Sequence, residues 1–123
     1  MDGKPGQIIF LNGTSSSGKT SLAKALQKRL PEPFLHLTLD AFIEMLPRLD
    51  DPGLFMDMVS GMNRAIRVMA DEGNNLIVDH VLIEDIWMNQ CLELLEGFSV
   101  LFVGLDCPLG TFQTFGLVDI VGD

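Results

Sequence analysis

The sequence predicts an α/β chain, a parallel sheet flanked by helices and built around a phosphate-binding loop. Three observations carry that expectation. Strand-like and helix-like segments alternate at βαβ spacing. Gly13–Thr20 reads G-x-x-x-x-G-K-[ST] between the first strand-like run and the first helix-like run. Two further strand-like runs are followed at once by an aspartate, Asp40 and Asp79.

The elements follow in order. Ile8 to Leu11 is a short β-branched and aromatic run that reads as a buried strand. From Lys19 to Leu30, Leu22, Ala23, Ala25, Leu26 and Leu30 fall at helical spacing, and Pro31-Glu32-Pro33 ends the pattern. Phe34 to Leu39 is a second strand, and Ala41 to Leu46 a short helix stopped by Pro47. Asp50-Asp51-Pro52-Gly53 reads as a turn. Phe55, Met58, Met62, Ala65, Ile66 and Met69 recur at three- and four-residue steps, an amphipathic helix closed by Gly73. Leu76 to Val78 is a third strand, Ile86 to Leu95 a helix ended by Gly97, and Phe98 to Leu105 a fourth strand. Residues 108–123 lack helical periodicity and read as an extra strand or a loose tail.

The chain has 123 residues, the size of a single domain. At 47% hydrophobic and 20% charged it is too apolar for a disordered tail or a nucleic-acid arm. Its net charge of −9 disfavours general binding to nucleic acid or anionic lipid, since like charges repel. All eight Lys and Arg lie in residues 1–67, so any phosphate must be met by cations from the first half. Cys91 and Cys107 form no zinc pattern and are expected as free thiols. The apolar run Ile8–Leu11 is too short for a signal-peptide core or a membrane span, so a soluble cytoplasmic protein without membrane partners is expected. Nothing in the sequence specifies an oligomeric state.

The chemistry concentrates in the glycine-rich segment. Gly13 and Gly18 let the backbone turn tightly, so that successive N–H groups face phosphate oxygens. The following helix aims its positive end at the same anion. Gly13, Thr14, Ser15, Ser16, Ser17, Gly18, Lys19, Thr20 and Ser21 are thus the candidate ATP-binding residues of a P-loop NTPase or kinase-like fold. Lys19 would reach the β- and γ-phosphates, and Thr20 would offer its hydroxyl to Mg²⁺.

Asp79 closes the apolar run Leu76-Ile77-Val78 and fits a Walker-B carboxylate on Mg²⁺. Asp40 follows the second strand, at the sheet edge where ligands of parallel sheets collect. It has two readings: a base that takes the proton of an acceptor hydroxyl, or the N-cap of the helix behind it. His36 reads as part of the fold, and His80 as structural or solvent-facing rather than catalytic. Arg64 and Arg67 read as a solvated helix face, with Arg48 nearer the acceptor side. The methionines are mostly core, with some available to line an apolar acceptor pocket, and Trp87 reads as packing.

The run IIFLNGTSSSGKTSLAKALQKRLPEPFLHLTLDAFIEMLP resembles the opening of the chloramphenicol phosphotransferase family of P-loop kinases. NLIVDHVL and VLFVGLDCPL are similar to its third and fourth strands, and the resemblance spans about residues 7–109. It implies ATP-dependent phosphorylation of a small-molecule hydroxyl, with Asp40 as the base, while the P-loop chemistry makes Lys19 the second catalytic candidate. A nucleoside, nucleotide or other metabolite kinase of the same fold is the alternative. After the fourth strand that family continues with a helix, an arginine-bearing lid, a fifth strand and a last helix, and nothing like these follows Cys107. The expectation is therefore an incomplete C-terminal part and, for a lone monomer, weak nucleotide binding with slow transfer, down to a weak ATP-binding remnant.

Overall fold

The computed structural model describes residues 3–14, 18–81, 85–105 and, as backbone, 114–121. The elements in chain order are β1 (Ile8–Gly13), α1 (Lys19–Arg29), β2 (Phe34–Thr38), α2 (Leu39–Ile43), α3 (Pro52–Asp71), β3 (Asn75–His80), α4 (Asp85–Leu94), β4 (Ser99–Leu105) and β5 (Thr114–Val121). They form one sheet ordered β2-β3-β1-β4-β5. The first four strands run parallel, and β5 runs antiparallel to β4.

The parallel strands are apolar on both faces, as strands covered by helices must be, and side chains alternate between faces with period two. Ile8, Phe10, Leu76, Val78, Val100 and Phe102 pack with Val59, Met62 and Ile66 of α3 and Cys91 of α4. Leu11, Ile77, Val103 and Leu105 point the other way and pack with Ala23 of α1. The sheet therefore separates an α1 layer from an α2–α3–α4 layer.

Helix boundaries follow from their caps. The turn expected at Asp50–Gly53 is the start of α3: the Asp51 carboxylate accepts from the Leu54 N–H at 3.1 Å, and Pro52 stands in the first turn, where its missing N–H costs nothing. Gly73, at φ 100°, follows the helix end. The short helix begins at Leu39 rather than Ala41, because Thr38 Oγ1 accepts from the Ala41 N–H at 3.0 Å. Beyond Cys107, which lies outside the described residues with the rest of 106–113, the extra-strand expectation is the one met. Strand β5 pairs from Thr114↔Leu105 to Val121↔Ser99, with a register shift between Phe102 and Gly104.

Candidate active site

Strand β1 delivers Gly13 to the C-terminal edge of the sheet, and helix α1 starts at Lys19. Between them Gly18 adopts φ 89°, a left-handed backbone that glycine takes without a Cβ penalty. No acidic residue occupies the first turn of α1, so its positive end is uncompensated by the helix itself. Ser15, Ser16 and Ser17 lie outside the described residues. Thr14 and Gly18 flank them, and Ser21 is exposed on α1.

Register brings the remaining groups together. Asp79 of β3 pairs with Leu11 of β1 and with Thr38 of β2. One aspartate thus stands two residues from Gly13 on one side and two from Asp40 on the other. Thr20 Oγ1 donates to Asp79 Oδ2 at 2.9 Å. Lys19 Nζ donates to the Thr14 carbonyl at 2.8 Å and lies 3.7 Å from Asp79 Oδ1. Burial holds the Lys19 ammonium below the ordinary lysine range, while Asp79 and, more weakly, Asp40 pull it back up. Lys19, Thr20, Leu39, Asp40, Asp79 and Val81 line one pocket of about 30 Å³. Asp40 is exposed and is not the helix cap, since Thr38 fills that role.

The Thr20 hydroxyl and the Asp79 carboxylate are adjacent hard oxygen donors at the N-terminal end of α1. Among the described residues no three His, Cys, Asp or Glu side chains converge as a cage. Two protein oxygens completed by phosphate and water fit Mg²⁺, which rarely uses an all-protein site.

Three features escape the sequence reading. His36 Nε2 is buried 3.4 Å from Asp79 Oδ2, with no hydrogen-bond partner among the described residues. His80, on the opposite face, is wholly buried and stacked on Phe10. Burial, reinforced by Lys19 and opposed by Asp79, lowers its pKa to about 4. Trp87 is more than packing: with Leu49, Pro52, Phe55, Met56 and Ile86 it lines a cavity of about 570 Å³. Phe42 and Ile43, two and three residues after Asp40 in α2, pack on the same cluster as Phe55 and Trp87, so α2 joins the layer that holds this cavity. Arg64 and Arg67 are exposed on α3, as the solvated-face reading expects, and Arg67 also donates to the Leu94 carbonyl at 3.3 Å and lies over the Phe98 ring. Arg48 pairs with Asp50 and Asp51.

The same architecture occurs in solved kinases. APS kinase CysC of Mycobacterium tuberculosis, in complex with AMPPNP and APS, superposes with a TM-score of 0.73 at 18% identity, over 86% of this chain and 65% of that one. A gluconokinase from Sinorhizobium meliloti gives 0.56 at 20% identity, over 89% of this chain and 68% of that one. At such identities the likeness concerns the fold. In sequence, two proteins from two strains of Mycobacterium tuberculosis, each bearing the name "Putative O-phosphotransferase", are 34% identical over 134 aligned positions. The alignment covers 85% of this chain, which spans 60% of the length of those relatives. Residues 6–114 match the family model described as chloramphenicol phosphotransferase-like protein. With its P-loop signature, its strand-end aspartates and that match over most of its length, the chain belongs to the chloramphenicol phosphotransferase-like family.

Proposed function

We propose that this chain is the phosphate-handling part of an ATP-dependent phosphotransferase that moves the γ-phosphate of ATP to a hydroxyl of a small molecule. The observation that carries the reading is the meeting of Lys19, Thr20, Asp79 and Asp40 around one pocket at the head of α1. The loop amides and Lys19 bind the phosphates, and Lys19 neutralises charge as the terminal phosphoryl group leaves. Thr20 and Asp79 hold Mg²⁺, which when bound offsets charge on the phosphate oxygens. Asp40 takes the proton of the acceptor hydroxyl as its oxygen attacks phosphorus. The bond to the β-phosphate breaks and ADP is released.

The acceptor belongs on the far side of Asp40. The cavity of about 570 Å³ walled by Phe55, Trp87 and Met56 is large enough for a small organic molecule and suits one with an apolar, ring-bearing body. Chloramphenicol is one such alcohol, and the family match makes it the first acceptor to try.

The test is acceptor-dependent ADP release, run on chloramphenicol beside a panel of nucleosides and sugars. Replacing Asp40 by Asn should lower turnover by about 10²- to 10⁴-fold and leave the affinity for Mg·AMPPNP unchanged. Equal turnover in that variant removes Asp40 from the chemistry, and absence of calorimetric heat with Mg·AMPPNP removes the whole reading.

A second reading has an observation of its own. Arg48 and Arg67 are engaged elsewhere, and Lys19 is the only cation lining the pocket among the described residues. A chain that binds nucleotide yet transfers slowly fits that arrangement, and heat with Mg·AMPPNP without acceptor-dependent ADP release supports it.

A further inference from the structure

Behind Asp79, on the opposite face of the sheet, runs a polar chain through an otherwise apolar layer. The Val81 N–H donates to His80 Nδ1 at 2.8 Å. That bond occupies the Nδ1 lone pair, so the proton of the neutral ring sits on Nε2, which donates to Asn63 Oδ1 at 2.8 Å. Asn63 Nδ2 donates to Gln90 Oε1 at 2.8 Å, and Gln90 Nε2 donates to Ser60 Oγ at 2.8 Å. Every link points the same way, from the end of β3 to α3 and α4. His80 and Asn63 are buried, so an unmade link would strand a polar group in the core.

The end of β3 is therefore gripped on both faces. Asp79 is held by Thr20 and Lys19 of α1, and its neighbour His80 by Asn63 of α3 and, through it, Gln90 of α4. Consecutive strand residues cannot shift independently. Gln90 lies one turn beyond Trp87, and Ser60 stands on α3 five residues beyond Phe55. Trp87 and Phe55 wall the large cavity, 6.0 Å apart between ring centroids.

We propose that His80, Asn63, Gln90 and Ser60 are positioning residues that couple occupancy of the phosphate site to the shape of the apolar cavity. The inference rests on the nucleotide reading of the P-loop and needs no knowledge of the acceptor. Rearrangement of the Asp79 contacts when a magnesium nucleotide binds is carried through β3 to His80, along the amide chain, and into α4 beside Trp87.

Trp87 is the single tryptophan of the chain and reports directly. The experiment titrates MgADP into the whole chain while heat and Trp87 emission are recorded together. In the wild type the emission change follows the calorimetric isotherm. In Gln90→Leu the affinity stays within about threefold while the emission change falls at least about fivefold, because the link to α4 is cut. Gln90→Glu restores it: one carboxylate oxygen accepts from Asn63, and the other accepts from the Ser60 hydroxyl, which rotates to donate. Ser60→Ala is the milder second variant, should Gln90→Leu not fold, and it too diminishes the change.

Heat without any change of Trp87 emission in the wild type overturns the coupling while leaving nucleotide binding intact. So does a full emission change in Gln90→Leu, or in Ser60→Ala if that is the variant that folds. Failure of Gln90→Glu to restore what Gln90→Leu loses overturns the hydrogen-bonded route. No heat at all in the wild type overturns the nucleotide reading, and the coupling with it.

Discussion

Replacing Asp79 by Asn and Lys19 by Met, singly and together, should reveal an ion pair that stabilises the unliganded fold. The two side chains are 8% and 5% exposed, with nitrogen and oxygen 3.7 Å apart. At an effective dielectric of about 20 that separation gives a gross attraction of about 4 kcal/mol, and desolvation cancels part of it. Asp79→Asn leaves a buried ammonium with the Thr14 carbonyl and only Asp40's weaker field against burial, at a cost of about 3 kcal/mol. Lys19→Met leaves Asp79 with the Thr20 hydroxyl and the nearby His36 ring, so its cost is smaller, about 2 kcal/mol. The double variant should lose about 3 kcal/mol rather than 5, a coupling of about 2 kcal/mol. Urea unfolding at constant m-value measures all four corners of the cycle. Additive losses, within about 0.5 kcal/mol, would show that the pair contributes nothing to the fold and would refute the reasoning.

Four further outcomes are expected. Ile66→Ala empties a wholly buried site between α3 and the sheet, and should cost about 3 kcal/mol in urea unfolding; a loss under about 1 kcal/mol would mean that the layer collapses onto the gap. Gly6→Ala should lower the melting temperature markedly, at about 2 kcal/mol, because a Cβ there falls on the Asn74 carbonyl backbone; an unchanged midpoint would show that the β3 lead-in yields freely. Thr38→Ala removes the α2 cap and should cost about 1 kcal/mol, while Thr38→Ser should recover most of it; equal losses in both would deny the cap. In a Cys107→Ser background, Cys91 should resist aromatic disulfide reagents until the chain is unfolded, since burial pushes its thiol up to about 12; rapid labelling of the native chain would contradict that.

What could be read from the sequence was what is local. The P-loop is a contiguous string, and Asp79 is announced by the apolar strand it closes, so both were placed without knowing any pairing. Asp51-Pro52 was misread because the same dipeptide opens turns and helices, and only the Leu54 N–H on the Asp51 carboxylate decides between them. His36 required register: within β2 it is one of several alternating residues, and it approaches Asp79 only because Thr38 lies opposite that aspartate. The chain Asn63–Gln90–Ser60 was invisible for a different reason. Its members are 27 and 30 positions apart, and a lone polar residue on an amphipathic helix reads as solvent-facing until a second helix packs over it.

The two-sided sheet also bears on the acceptor specificity of the proposed function. Phe55 and Trp87 pack on the α3–α4 side of the sheet, whereas Lys19 and Thr20 belong to α1 on the other face. Under the proposed function, swapping Phe55, Met56 and Trp87 should retune which alcohols are admitted while nucleotide affinity stays as it was. At the Asp79–His80 step adjacent residues face opposite layers, and libraries aimed at new acceptors would do well to leave it alone.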